Sequence, residues 1–233
     1  MLDKLYIQIL LHVFGDLERD ILLHRLHILY TFLCTAERSS TSIVTSLLPC
    51  DSDSDTETNP DTRIADDVLR RLHAVLYIEN NKILWYHKSF PDFLFDKARS
   101  KDFWCNEAEH HQRLTESCFR IMEAGLRFNI ANIPSSFILD HDNSTLSDAV
   151  KQNIPPVLSY SCRNWDYHLS AVALTDSDAL RGTLSEFLEL RVLFWIEAMN
   201  LLGSRGLCDP MLQTALKCVT NVSDILTEYF RID

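Results

Sequence analysis

The sequence has little glycine, only 5 residues among 233. Glycine supplies the positive backbone angles of many tight turns, so its scarcity argues against a sandwich of short strands. Apolar residues recur mostly at spacings of three and four, which indicates helices. With 46% hydrophobic residues, the chain can bury one large core or two smaller ones. We therefore expect a mainly α protein of one or two domains.

Long apolar runs and paired cysteines are also missing. No stretch reaches the roughly 18 apolar residues of a membrane span, and the first segment lacks the marks of a secretion signal. The 7 cysteines are scattered without a CxxC pair, which favours reduced thiols and argues against a metal site. We expect a cytoplasmic protein that makes no membrane contact. The sequons at Asn143 and Asn221 should then stay unglycosylated.

Positive charge is scarce as well. The chain has 22 Lys and Arg against 33 Asp and Glu, a net charge of -11, whereas a surface that covers a phosphate backbone needs a dense basic stripe. The segment "RIADDVLRRLHAVL" carries Arg63, Arg70 and Arg71, but Asp66 and Asp67 offset two of these charges. A nucleic-acid partner is therefore not expected.

The order of elements between residues 17 and 100 is typical of a winged-helix domain. The pattern predicts a helix, a short helix, a third helix, a β-hairpin around Asn80-Asn81 and a closing helix from Ser89 to Ser100. In the closing helix, Ser89 has the character of an N-cap. An acidic segment, residues 49–61, interrupts the domain and is predicted to be a disordered loop.

Helices are also predicted on both sides of this domain. The first, residues 2–14, places Leu2, Leu5, Ile9 and Val13 near one apolar face. A helical domain, residues 101–233, follows the winged helix. Its helices are predicted from Asn106 and at about 152–171, 180–202 and 209–230, with breaks at Gly203 and Gly206.

Catalytic and metal-binding signatures are absent from the sequence. No GxSxG or HExxH motif occurs, so an enzyme has no specific support. His110 and His111 with Glu107 are interpreted as a solvated face, because adjacent histidines diverge on a helix. His24 and His27 could share a face, but no third ligand completes a metal site, and they are assigned to surface or boundary packing.

Six blocks of the sequence carry a family resemblance: "LDKLYIQIL", "LRRLHAVLYI", "YHKSFPDFLFDKARS", "LTESCFRIMEAGLRFNI", "LSYSCRNWDYHL" and "LRVLFWIEAMNLL". These blocks resemble fungal NACHT proteins, which belong to the STAND ATPases, in the region that follows their nucleotide-binding domain. They extend from residue 2 to about residue 202. The resemblance implies that residues 1–16 end the helical subdomain of a preceding ATPase, followed by the winged-helix domain (17–100) and the helical domain (101–233).

The resemblance also suggests a role for His87, within "YHKSFPDFL". In related STAND proteins a histidine at a similar position contacts the phosphates of bound ADP and helps to hold the resting state. This chain has no GxxxxGK[ST] and no hydrophobic run that ends in paired acidic residues. We therefore expect no catalytic activity and no cofactor in this chain itself, but ADP or ATP if it is joined to a nucleotide-binding domain.

The resulting hypothesis is the regulatory arm of a NACHT switch that acts in innate immunity or programmed cell death. Its partners would be an intramolecular nucleotide-binding domain, C-terminal repeats or other proteins. One alternative is a stand-alone helical module for protein interaction. A winged-helix nucleic-acid binder is the less favoured alternative.

Overall fold

The computed structural model describes residues 2–48, 60–135, 137, 143–172 and 178–229. Most of the predicted acidic loop, residues 49–59, lies outside the described residues. The chain divides into two compact units, Met1–Leu114 and Thr115–Asp233. The sequence placed its domain boundary earlier, after residue 100, and its domain limits stay a prediction.

The first unit consists of helices and one hairpin, as the sequence predicted for its fold class. Its elements are α1 (Leu2–Phe14), α2 (Arg19–Cys34), α3 (Thr41–Leu47), α4 (Pro60–Arg71), β1 (Leu76–Glu79), β2 (Lys82–Trp85), α5 (Ser89–Phe95) and α6 (Lys97–Ser100). The strands are antiparallel, with Ile78 opposite Ile83. Asn80 and Asn81 have φ of 51° and 60°, the positive angles that a two-residue hairpin turn requires.

The buried face of α1 differs from the prediction. Leu2 and Leu5 are 49% and 48% exposed, whereas Tyr6 and Phe14 are 4% and 1% exposed. The prediction counted aliphatic residues, but the large aromatic side chains bury more apolar area and so determine which face packs inward. Only Val13 of the predicted face lies in the core.

Aromatic contacts join α1 to α5. The Tyr6 ring lies 5.3 Å from the Phe90 ring in an edge-to-face arrangement and 5.4 Å from the Phe93 ring. Arg99 of α6 also donates to Asp3 of α1, at 2.7 Å between Nη2 and Oδ1. This hydrogen bond lowers the pKa of Asp3. The start of α1 is therefore held to the α5–α6 region by both packing and charge.

One backbone hydrogen bond extends the hairpin. The Ile83 N–H donates to the Ser39 carbonyl oxygen over 3.4 Å. Ser39 lies between α2 and α3, so this segment runs beside the second edge of β2.

The second unit contains further helices. α7 (Glu107–Gly125) begins in the first unit and ends in the second, and is followed by α8 (Leu146–Asn153), α9 (Pro156–Ser170), α10 (Asp178–Leu190), α11 (Val192–Leu201) and α12 (Cys208–Tyr229). The helix predicted at 152–171 is two helices, because Pro155 and Pro156 lack the N–H groups that a continuous helix needs. The helix predicted at 180–202 is interrupted at Arg191.

An aromatic cluster fills the second unit. The Trp165 ring lies 5.6 Å from Phe119, 5.6 Å from Phe187 and 5.9 Å from Trp195. The Trp195 indole N–H donates to the Cys162 carbonyl oxygen at 2.9 Å, so this buried polar group is satisfied. Among the described residues, no helix combines the length and the apolar character that crossing a bilayer would require.

Candidate functional site

His87 lies in the short connection between β2 and α5, and its side chain is exposed. The hairpin fixes one end of the connection. The buried Phe90 and Phe93 of α5 fix the other end. A three-residue link between two packed elements therefore presents the imidazole at the surface from a well-defined position.

The imidazole of His87 caps the start of α5. The Ser89 backbone N–H donates to Nδ1 of His87 over 3.1 Å. The prediction that Ser89 is the N-cap is wrong, because Ser89 is the first helical residue and Lys88 occupies the cap position without a side-chain bond. A backbone N–H in the first turn has no partner within the helix, and the ring nitrogen supplies one.

The Ser89 hydroxyl links His87 to α1. Its oxygen lies 2.7 Å from Nδ1 of His87 and 2.7 Å from the Tyr6 hydroxyl. Since Nδ1 accepts from the Ser89 N–H, it carries no proton, and the Ser89 hydroxyl must donate to it. The Ser89 oxygen then accepts from Tyr6. The direction of the chain is Tyr6 to Ser89 to His87.

The other ring nitrogen, Nε2, defines what this site can do. A neutral imidazole with a bare Nδ1 carries its proton on Nε2, which makes Nε2 a donor. Within the part of the chain that the structure describes, the side-chain hydrogen bonds of His87 are both at Nδ1, and Nε2 makes none. The exposed side of the ring therefore offers an N–H to an acceptor such as a phosphate oxygen.

A second cluster of polar side chains in the first unit lines a groove of about 480 Å³ between α2 and the start of α7. His27 contacts Arg113, which also donates to Glu109 at 2.6 Å. Burial and the nearby Arg113 charge lower the pKa of His27. Nε2 of His110 lies 3.0 Å from the Thr31 hydroxyl oxygen. These contacts connect α2 to α7, so the polar side chains at the groove already have partners within the protein.

The prediction of a solvated face for His110 and His111 is wrong, because these side chains are only 5% and 2% exposed. The first turns of α7 pack on α2, and this tertiary contact cannot be seen in the local pattern. Burial lowers the pKa of His111. Across the described residues, no group of three or more His, Cys, Asp or Glu side chains could hold a metal ion.

The thiols of the described residues are buried. Six cysteines in this part of the chain are free: Cys34, Cys105, Cys118, Cys162, Cys208 and Cys218. Burial raises the pKa of Cys118 and that of Cys162 to about 12. Since the thiolate is the nucleophilic form, these two side chains act as apolar packing groups.

Two of the three arginines of α4, Arg70 and Arg71, pair with an acidic residue of the same helix. Asp67 pairs with Arg70, with Arg71 at 2.9 Å and with Arg25 of α2 at 2.5 Å. Partial burial raises the pKa of Asp67, but the hydrogen bonds from Arg25 and Arg70 outweigh this effect and lower it to about 2. This helix therefore presents less positive charge than its composition suggests.

Comparison with known proteins gives no relative. No family model, no curated protein and no solved structure matches this chain.

Sequence reasoning assigned a role to His87, which stays a prediction, but it missed Tyr6 and misplaced the role of Ser89. Tyr6 is 83 residues from Ser89, so no local pattern could reveal their contact. The tyrosine in the predicted first helix was the available signal, since a buried tyrosine usually brings its hydroxyl to a partner.

Proposed function

We propose that this chain is the regulatory arm of a NACHT-type STAND switch and that His87 senses the phosphates of a nucleotide bound by a nucleotide-binding domain. In the resting state the arm docks on that domain and His87 donates to a phosphate oxygen of ADP. Exchange of ADP for ATP releases the arm and permits the protein to oligomerise, because the two nucleotides favour docking of the arm to different extents.

The geometry of His87 carries this proposal. An exposed imidazole whose Nδ1 is occupied and whose Nε2 bears the outward proton suits an anionic oxygen acceptor. Capping of α5 occupies only Nδ1, so the same ring can cap the helix and donate from Nε2.

The arrangement of elements supports a winged-helix reading of the first unit. Within residues 17–100, the three helices α2 to α4 precede an antiparallel hairpin. The hydrogen bond from Ile83 to Ser39 is what a short third strand would make. The order agrees with the layout of winged-helix modules.

Exposed leucines on α1 support the proposal that a partner covers this helix. Leu2, Leu5 and Leu11 are 49%, 48% and 52% exposed. Leu2 and Leu5 are one turn apart and share a side of the helix. Apolar side chains grouped in this way mark interaction surfaces. The same observation favours the second candidate, a stand-alone helical module that binds protein partners.

The proposal is tested in the gene product that joins this chain to a nucleotide-binding domain. His87→Ala should release bound ADP about tenfold faster or more, since one hydrogen bond to a charged group is lost. His87→Gln keeps a neutral N–H donor at a similar distance and should restore part of the retention. Retention is measured by the release of labelled ADP.

Lys88→Ala is the matched control, because Lys88 is the exposed neighbour of His87. It should leave ADP retention unchanged. Equal retention in wild type and His87→Ala would sink the sensor role and leave the interaction module as the better account.

A further inference from the structure

Two exposed histidines of the first unit, His73 and His87, have rings that are held in opposite ways. Nδ1 of His73 lies 2.9 Å from the Arg70 carbonyl oxygen. A carbonyl oxygen can only accept, so Nδ1 of His73 donates and its Nε2 carries a lone pair when the ring is neutral. Nδ1 of His87 instead accepts from the Ser89 N–H. The two side chains thus present opposite chemistry to solvent.

We infer that Ser89 and Tyr6 are positioning residues that hold His87 as a neutral Nε2–H donor and tie its orientation to α1. The ligand class that follows is an anionic oxygen that accepts a hydrogen bond from an uncharged imidazole. The identity of that ligand as a nucleotide phosphate rests on the proposed function. The tautomer of His87 and its dependence on Ser89 do not rest on the proposed function.

Burial makes the link between α1 and His87 specific. Tyr6 is 4% exposed and its ring is fixed against Phe90 and Phe93. Its hydroxyl can therefore reach Ser89 only while α1 remains packed on α5. A movement of α1 would remove the donor that orients the Ser89 hydroxyl, and the contact of this hydroxyl with Nδ1 of His87 would weaken. Docking of α1 in this way prepares the sensing group before any ligand arrives.

The ring tautomers can be measured on this chain without a nucleotide. Long-range proton–nitrogen NMR at about pH 8.5, above the ordinary titration of imidazole, distinguishes protonated from bare ring nitrogens. In the wild type His87 should show a proton on Nε2 and His73 a proton on Nδ1. Ser89→Ala should shift the His87 tautomer ratio about fivefold toward the other form, as expected for the loss of one neutral hydrogen bond.

Tyr6→Phe keeps the aromatic packing and removes only the hydroxyl. It should shift the His87 ratio in the same direction by a smaller factor, while His73 stays unchanged as an internal reference. Circular dichroism confirms that both variants remain folded. A purely structural role for Ser89 and Tyr6 would change stability but leave the tautomer ratio as it was.

Acylation by diethyl pyrocarbonate gives a second readout, because the reagent attacks a ring nitrogen that carries a lone pair. Peptide mass spectrometry should show His73 acylated about fivefold faster than His87 in the wild type, and His87 accelerated in Ser89→Ala. Equal rates for the two wild-type histidines, or a His87 tautomer ratio unaffected by Ser89→Ala, would overturn the inference. Neither result depends on whether His87→Ala changes ADP retention, so the two proposals fail separately.

Discussion

Each unit contains a tyrosine–histidine pair, and the two pairs differ in what surrounds the ring. In the second unit the Tyr160 hydroxyl lies 2.8 Å from Nε2 of His168, and these side chains are 1% and 0% exposed. In the first unit a serine stands between Tyr6 and His87, and the histidine reaches the surface. The same chemical groups form a sealed structural contact in one unit and an open donor in the other. The two pairs therefore differ in whether the histidine ring is buried or exposed.

The largest expected effect comes from breaking the sealed pair. Tyr160→Phe removes the hydroxyl and leaves Nε2 of His168 without it in a dry environment. We expect a loss of about 1–3 kcal/mol in the free energy of unfolding, because a buried hydrogen bond is lost where water cannot replace it. Urea denaturation followed by circular dichroism measures it. A loss as small as that of an exposed substitution would show that the sealed pair is not a structural element.

Acid sensitivity sharpens the contrast, because the first unit is braced by charge around Asp67. Its pKa is lowered from 3.8 to about 2, so its contribution to stability is present above about pH 4 and is lost as the pH falls toward 2. The exposed arginines reduce the effect to about 1–2 kcal/mol. Asp67→Asn should remove this stability at neutral pH and flatten the acid dependence in that window.

Asp66 provides the matched control for that experiment, since it is the exposed neighbour of Asp67 on α4. Asp66→Asn should leave the acid dependence of unfolding close to wild type. If Asp66→Asn and Asp67→Asn behave alike, the three arginine contacts do not brace the helix.

A smaller effect is expected for the tyrosine of the open pair. Tyr6→Phe should cost about 0.5–1.5 kcal/mol, because one hydrogen bond is lost while the ring keeps its contacts. The partner, Ser89, is half-buried, so water can replace part of the bond. The cost should be below that of Tyr160→Phe in the same urea experiment, and the reverse order would break the comparison.

The smallest effect on stability is expected at His87 itself. His87→Ala should change the free energy of unfolding by about 0.5–1 kcal/mol, because the ring is exposed and only its capping contact with α5 is lost. A sensor residue can be removed with little loss of stability, whereas a structural one cannot. A destabilisation comparable to that of Tyr160→Phe would assign His87 to the structure of α5.

The sequence predicted the elements whose signals are local. The hairpin at Asn80-Asn81 follows from two residues that tolerate positive φ. The two prolines also indicated the break before Pro156, but the prediction placed one continuous helix across it. The inward face of α1 and the burial of His110 and His111 depend on which distant helix packs against them. The position of His87 after the hairpin is a local feature and could be predicted. Its link to Tyr6 through Ser89 depends on packing against a distant helix and could not.

The coding sequence upstream of Met1 tests the central claim, that this chain is the arm of a nucleotide switch, most directly. We predict an in-frame extension in the transcript that encodes GxxxxGK[ST], the loop that cradles phosphates and would give His87 a nucleotide to sense. An in-frame stop codon directly upstream of Met1 in the transcripts would contradict this account and favour an interaction module that acts alone.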